Sequence, residues 1–212
     1  MKKLSLEQLS YIIGFLHSDG HLYEGTRNRG KISIELNVQD KDILIKIQSL
    51  LGGSIRERKR TTNFGYNHSA ILEIFLLKIR TYLKSKGLIA GKKSEIVFIP
   101  SKLSVKHYLR GYLDGDGSIG ITGNKEPFIS ITTKSDLLKS QIISLLEKKF
   151  KVIKNLNRNK RDNIYNITVK NETALKFGKM LYSKASIYMD RKYSLYIKIS
   201  EWKRTKKVGN KH

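Results

Sequence analysis

Two aspartates stand next to last in matching phrases of this sequence: Asp19 in GFLHSDG, residues 14–20, and Asp116 in GYLDGDG, residues 111–117. Each is a lone carboxylate at the C-terminal end of an apolar, helix-like run, where the helix dipole disfavours it. Within the phrases Gly14 and Ser18, and likewise Gly111 and Gly115, stand four apart and so share a helical face. Small residues at that spacing let two helices approach backbone to backbone, which offsets the cost of about 1 kcal/mol for a mid-helix glycine. Helices paired about a two-fold-like axis would bring the two carboxylates side by side. Two unit charges about 5 Å apart repel by roughly 3 kcal/mol at an effective dielectric of about 20. A divalent cation reverses that sign: Mg²⁺ takes one or two carboxylates plus waters and substrate phosphates. Metals held a few ångströms apart activate a water and stabilise the leaving oxygen in phosphodiester cleavage. One Asp-Gly turn alone reads as an ordinary turn; two at matched places favour a metal site at Asp19 and Asp116.

The elements that must position these residues recur in the same order after each phrase, at an offset of 97 residues. Ser5 with Gln8 makes a capping box for the first helix, and Gly20 suits a left-handed stop. KISIELNVQ alternates as a strand, with Lys31, Ser33, Glu35, Asn37 and Gln39 opposite an apolar face. DKDILIKIQSLLGG reads as a helix with an Asp cap and a Gly stop. GSIRERKRTT is a strand with Arg56, Arg58 and Arg60 on one side, HSAILEIF a further strand, and LLKIRTYLKSKG a helix. In the second half FISITTK (Ser130, Thr132) is a strand and SDLLKSQIISLLEKKF a helix. KVIKNLNRNK (Asn155, Asn157) and NIYNITVK (Asn166, Thr168, Lys170) then form a hairpin, followed by the helix NETALKFGKMLYSKA. The predicted class is α+β: two pseudo-symmetric αββαββα halves, at 1–98 and 99–200, with a basic tail at 201–212. Strands apolar on one side rest on helices and leave a polar, basic sheet face free. An ordinary solvated face would alternate in the same way, but Arg, Lys, Asn and Gln on strands also suit the major groove of DNA.

Composition agrees with a polyanion partner. The 42 Lys and Arg outnumber the 18 Asp and Glu for a net charge of +24, of which +8 falls up to Phe98 and +16 beyond it. Both halves are thus expected to touch nucleic acid. No run approaches the roughly 18 uncharged apolar residues of a membrane span. The opening MKKLSLEQLSYIIGFLHSDG reads as a helix rather than a leader, because Glu7 and Gln8 interrupt it. The chain has no cysteine, so disulfides and thiolate metal sites are excluded, which fits a reducing, intracellular setting alongside DNA.

The nine-residue phrases IIGFLHSDG, 12–20, and LRGYLDGDG, 109–117, resemble the motif of the LAGLIDADG homing endonucleases. The resemblance implies a monomer that imitates a dimer, with paired motif helices between its halves and a saddle of antiparallel sheets over the major groove. It implies double-strand cleavage across the minor groove with 3′ overhangs, using Mg²⁺ or Mn²⁺, with Ca²⁺ supporting binding without cleavage. It assigns metal to Asp19 and Asp116. It assigns supporting catalytic places to Gln39 and Lys134 after the second strands, and to Lys93 and Lys192 near the ends of the halves, with Lys92 an equal register for the former. The DNA-contacting residues it implies are those of the polar strand faces named above. The first motif departs from the pattern at its sixth position, where His17 stands for Asp while the second keeps Asp114. A transition-metal site at His17, Asp19 and His21 is disfavoured because Gly20 should end the helix between them, and His68, His107 and His212 add no ligand spacing. No intein splicing residues flank the chain, so an intron-encoded or free-standing protein is expected. RNA binding as an intron maturase, and a DNA-binding regulator without cleavage, are the competing readings.

Overall fold

The computed structural model describes residues 3–63, 65–152 and 156–204. Its first element, α1 (Leu6–Ser18), starts at Ser5, whose hydroxyl accepts the Gln8 N–H at 3.1 Å while the Gln8 side chain accepts the Ser5 N–H at 3.0 Å. The expected capping box is formed. Helix α1 packs along α4 (Val105–Asp116) at the centre of the molecule. A Cβ on Gly14 would collide with the Tyr108 carbonyl, and one on Gly111 with the Tyr11 carbonyl. The small-residue faces therefore meet reciprocally, as their spacing predicts. Tyr11, Ile12, Ile13, Phe15, Tyr108, Leu109 and Leu113 are fully enclosed, each burial stabilising by roughly 1.5–3 kcal/mol. One continuous core runs through both halves from this seam.

Gly20 and Gly117 do not act as left-handed helix stops. Neither has a positive φ; both begin strands directly off the helix, β1 (Gly20–Glu24) and β5 (Gly117–Ile121). Glycine is needed there for space, since a Cβ would meet Leu16 or Leu113 one turn back. The first half continues with β2 (Gly30–Asn37), a 3₁₀ turn at Val38–Asp40, α2 (Lys41–Leu51), β3 (Ser54–Thr62), β4 (Gly65–Ile74) and α3 (Leu77–Ser85). Its antiparallel sheet has the order β1-β2-β4-β3. Asp40 does not cap α2 with its side chain, which binds Arg191 instead.

The second half has β6 (Pro127–Thr133), α5 (Asp136–Phe150), β7 (Tyr165–Lys170), α6 (Asn171–Tyr182) and α7 (Asp190–Ser200). Among the described residues its sheet is three-stranded, in the order β5-β6-β7. The strand expected within residues 151–160 is not formed by its described part. The chain turns there, with Asn159 N–H to Ile164 O at 2.7 Å, and the Arg158 guanidinium is drawn to Asp136 at 2.8 Å and to the Lys134 carbonyl at 3.0 Å. Those bonds hold the segment at the start of α5 rather than along β7. Helix α7 is an element that periodicity did not reveal. No helix among the described residues is long and apolar enough to cross a membrane.

Candidate functional site

Because α1 and α4 cross with their C-terminal ends together, Asp116 comes close enough for its charge to shift Asp19. Burial and the Asp116 charge push the Asp19 carboxyl up to about 6, against the pull of Lys93 and Lys192. Burial likewise raises Asp116, opposed by the same two lysines. Gly115 makes the approach possible: a Cβ there would strike the Ser18 hydroxyl and an Asp19 carboxylate oxygen. Among the described residues no hydrogen bond or ion pair engages either carboxylate. Asp19 is partly buried and Asp116 exposed, and the two form an acceptor pair left open.

The lysines flank this pair symmetrically. The Lys93 ammonium donates to the Gly20 carbonyl and lies 3.5 Å from Ser18 O; Lys192 donates to the Gly117 carbonyl and lies 3.5 Å from Leu113 O. Each thus caps the negative end of one motif helix, and burial lowers the basicity of both ammonium groups. Lys92 is exposed, so the register falls on Lys93. Asp116, Lys93 and Lys134 line one cavity of about 230 Å³ with Ser18, Thr132 and Thr133. Gln39 is exposed in the 3₁₀ turn, its N–H bound to the Asn37 side chain at 3.0 Å. The neighbouring Asp40, which sequence reading passed over as a helix cap, is the residue whose charge reaches Asp19.

The donor set suits a hard divalent cation: two open carboxylates, with the Asp19 carboxylate seated in a cradle that a Cβ at Gly115 would fill. No cluster of three or more His, Asp or Glu side chains able to hold a metal exists among the described residues, so water and phosphate would complete the coordination. The His17 ring is engaged elsewhere, at 2.8 Å from the Tyr108 hydroxyl and 3.1 Å from Gly87 O, which leaves no transition-metal site with His21.

The strand residues expected to share faces do so. Register pairs Ser130 with Thr168, Thr132 with Asn166 and Phe128 with Lys170, opposite the buried Ile129 and Ile131. The Ser130 and Thr168 hydroxyls meet at 2.7 Å, and Thr132 donates to Asp116 O at 2.6 Å. In the first sheet Ser33, Glu35, Arg56, Arg58 and Arg60 stand on the face away from Ile32 and Ile34. That face is internally paired: Lys31 and Arg56 to Glu73 at 2.5 and 3.1 Å, Arg58 to Glu35, and Arg60 to Glu35 at 3.5 Å. Asn157, expected on a strand, lies in the loop beside Lys139 and Glu147 of α5; Asn155 lies outside the described residues.

Residues 104–182 match the family described as LAGLIDADG-like domain. An intron-encoded DNA endonuclease, ai2b, of Dictyostelium discoideum is 28% identical over 128 residues, 56% of this chain and 49% of that protein. The chain thus spans about half the length of the curated relative it matches. The crystal structure of the meganuclease I-SmaMI bound to uncleaveable DNA overlays 92% of the chain and 90% of its own at a TM-score of 0.60 and 13% identity. The LAGLIDADG meganuclease I-CpaMI bound to uncleaved DNA overlays 91% and 90% at 0.60 and 12%. At those identities the likeness is one of fold, and it runs over both halves.

Proposed function

We propose that this LAGLIDADG protein is a site-specific, metal-dependent DNA endonuclease that acts as a monomer, inside the cell, on a long duplex target. The observation that carries the reading is the open pair Asp19 and Asp116, set at the seam between two polar sheet faces and flanked by the buried Lys192 and the partly buried Lys93. Asp19 and Asp116 would hold Mg²⁺ or Mn²⁺, which when bound supplies positive charge at the scissile phosphates and acidifies water. Lys93 and Lys192, beside the helix ends, orient water or offset the charge that develops on phosphate, and Lys134 adds a second cation beside Asp116. In each cut a water oxygen joins phosphorus as one ester bond breaks, leaving a phosphate monoester and a hydroxyl. Cuts across the minor groove would leave 3′ overhangs, and Ca²⁺ would support binding alone. The DNA-bound meganucleases that share the fold, one solved with calcium ions, support this reading, as does the net charge of +24.

Incubation with Mg²⁺ and duplex carrying the uninterrupted insertion site should give a staggered double-strand break. Asp19→Asn and Asp116→Asn should each cut cleavage by at least about 10³-fold with duplex affinity within a few-fold. Intact duplex at low salt would overturn the reading. Accelerated splicing of the host intron RNA, indifferent to both substitutions, would favour RNA binding instead.

A further inference from the structure

The two site lysines are held in place from opposite halves, and by different chemistry. Lys192 lies in the first turn of α7, and what fixes that turn is mostly the first half. The Arg191 guanidinium grips both Asp40 carboxylate oxygens at 2.8 and 2.7 Å. The Asp190 N–H donates to Asp42 at 3.0 Å, and Lys46 binds Asp190 at 2.5 Å. Lys93 belongs to a segment with no regular structure, tied to the first half at its start, where Gly91 N–H donates to Leu22 O at 3.2 Å, and to the second half beyond Lys93. Ser135 donates to Val97 O at 2.6 Å, and Gln141 exchanges two hydrogen bonds with the Ile99 backbone at 2.7 and 3.1 Å. Among the described residues no hydrogen bond joins Asp40 or Arg191 to Asp19 or Asp116; Asp40 reaches Asp19 by charge alone, and the hold of the ion pair on geometry falls on the first turn of α7.

We infer that the Asp40–Arg191 ion pair is a latch between the halves that positions Lys192, so that one of the two strand cuts depends on it while the other depends on the Gln141 clasp of the Lys93 segment. The inference rests on the endonuclease reading. A bidentate Arg–carboxylate pair is geometrically exacting, and here it fixes the residue that immediately precedes Lys192. Displacing α7 by an ångström would move the ammonium off the Gly117 carbonyl, a scale of misplacement that costs about 10²-fold in rate. Lys93, tied through Gln141, would not move with it.

The test uses target duplex labelled separately on each strand, with single-turnover cleavage by wild type, Asp40→Asn, Arg191→Gln, Arg191→Lys and Gln141→Ala. Arg191→Gln and Asp40→Asn should slow one strand at least about tenfold more than the other, so that nicked duplex accumulates, with affinity in Ca²⁺ changed less than about threefold. Arg191→Lys should restore part of the slowed cut, and Gln141→Ala should slow the opposite strand. Equal slowing of both strands, or no change, overturns the latch. A second readout does not need cleavage: acylation of lysines in the free protein, mapped by mass spectrometry. Lys192 is only 4% exposed, and Arg191→Gln should raise its labelling several-fold while leaving that of Lys93 alone. Unchanged Lys192 labelling also overturns the latch. Wild-type protein that leaves duplex intact while this labelling shift occurs would sink the endonuclease reading and spare the latch. Arg191 is half exposed, which keeps its variants readable even where Asp40→Asn fails to fold.

Discussion

At one interval of 97 residues along the helix seam, Asp114 in one half faces His17 in the other, and their surroundings explain the difference. Asp114 is enclosed by donors only: the Tyr11 hydroxyl at 2.6 Å, the Tyr182 hydroxyl at 2.5 Å and the Met189 N–H at 2.8 Å. His17 stands between one donor and one acceptor. Gly87 O can only accept, so Nε2 carries the proton, and Nδ1 then accepts from Tyr108 O–H. A carboxylate would satisfy Tyr108 and repel Gly87 O; an imidazole satisfies both. The departure from the motif at residue 17 is thus fitted to a carbonyl that the second half replaces with an N–H. Tyr11 and Tyr108, themselves 97 apart, keep the exchange reciprocal: each reaches across to the sixth motif position of the other helix.

The largest effect should come from breaking what the halves share. Gly14→Val and Gly111→Val each push a side chain into the opposite tyrosine carbonyl, where backbone blocks relief. Each should cost roughly 3 kcal/mol or more, read as a fall in thermal midpoint, and the two losses should be alike. A mild loss at either position would mean that the seam is not reciprocal.

Next come the sixth positions, which should respond differently. Asp114→Ala strands two buried hydroxyls and an N–H, at about 1–3 kcal/mol for each orphaned group, and non-additivity should bring the total to about 3–5 kcal/mol. Restoring the motif with His17→Asp should destabilise as well, by about 2 kcal/mol, because it sets a carboxylate against Gly87 O. The pH slopes separate the pair. Burial, with the Lys93 charge, holds His17 down at about 4, below its ordinary 6.5. The folded state therefore loses stability as pH falls from about 6.5 to about 4. Burial lifts Asp114 to about 6 from 3.8, so its cost instead grows as pH rises from about 3.8 to about 6. His17→Asn should flatten the acid-side loss, by up to about 3 kcal/mol at pH 4. An unchanged acid limb would break the comparison.

The paired seam carboxylates repeat the argument on a smaller scale. Asp19, raised to about 6 by burial and by Asp116, costs the metal-free fold nothing below about pH 3.8 and its full penalty above about pH 6. With chelator at pH 7.5, Asp19→Asn should therefore be more stable than wild type, by on the order of 2 kcal/mol, and the gap should close by pH 4. Mg²⁺ should then raise the melting temperature of wild type and leave that of Asp19→Asn largely unmoved. A less stable Asp19→Asn at pH 7.5 would show that the carboxylates are not in electrostatic tension.

Much of this was legible in the sequence because repetition at a fixed interval marks positions without needing a fold. Asp19 and Asp116, the small residues between them, and the alternating strands all follow from spacing and period. Asp40 and Arg191 were not legible. Asp40 heads an apolar helical pattern as a cap would, and only its approach to α7, from 151 residues away, turns it elsewhere. Helix α7 escaped because DRKYSLYIKIS is short and its tyrosines and isoleucines suit a strand as well as a helix. The missing strand before β7 was masked by asparagines and lysines that suit a turn as well as an edge strand. Gly20 misled because Asp-Gly commonly signals a left-handed residue, whereas the constraint there is the leucine one turn back.

The two sheet faces give the smallest contrast, and it has a counterintuitive sign. The second face is mostly hydroxyls and amides, with Lys170 drawn to Glu126 at 3.8 Å, while the first locks more of its cations into Lys31–Glu73–Arg56 and Arg58–Glu35–Arg60. Those acids cancel charge that would otherwise meet phosphate, so the first sheet holds its basicity in reserve. Surface pairs of this kind contribute about 0–1 kcal/mol to stability, and Glu35→Gln should leave the melting temperature nearly unchanged. It frees Arg58 and Arg60, however, and should tighten binding to random-sequence duplex by roughly three- to tenfold at low salt, with a salt slope steeper by about one. Arg58→Ala should weaken the same binding only about twofold, because its charge is already half spent on Glu35. If Glu35→Gln weakened non-specific binding instead, the glutamate itself would be a contact to base or bound cation, and the first sheet would read DNA through its acids as well as its arginines.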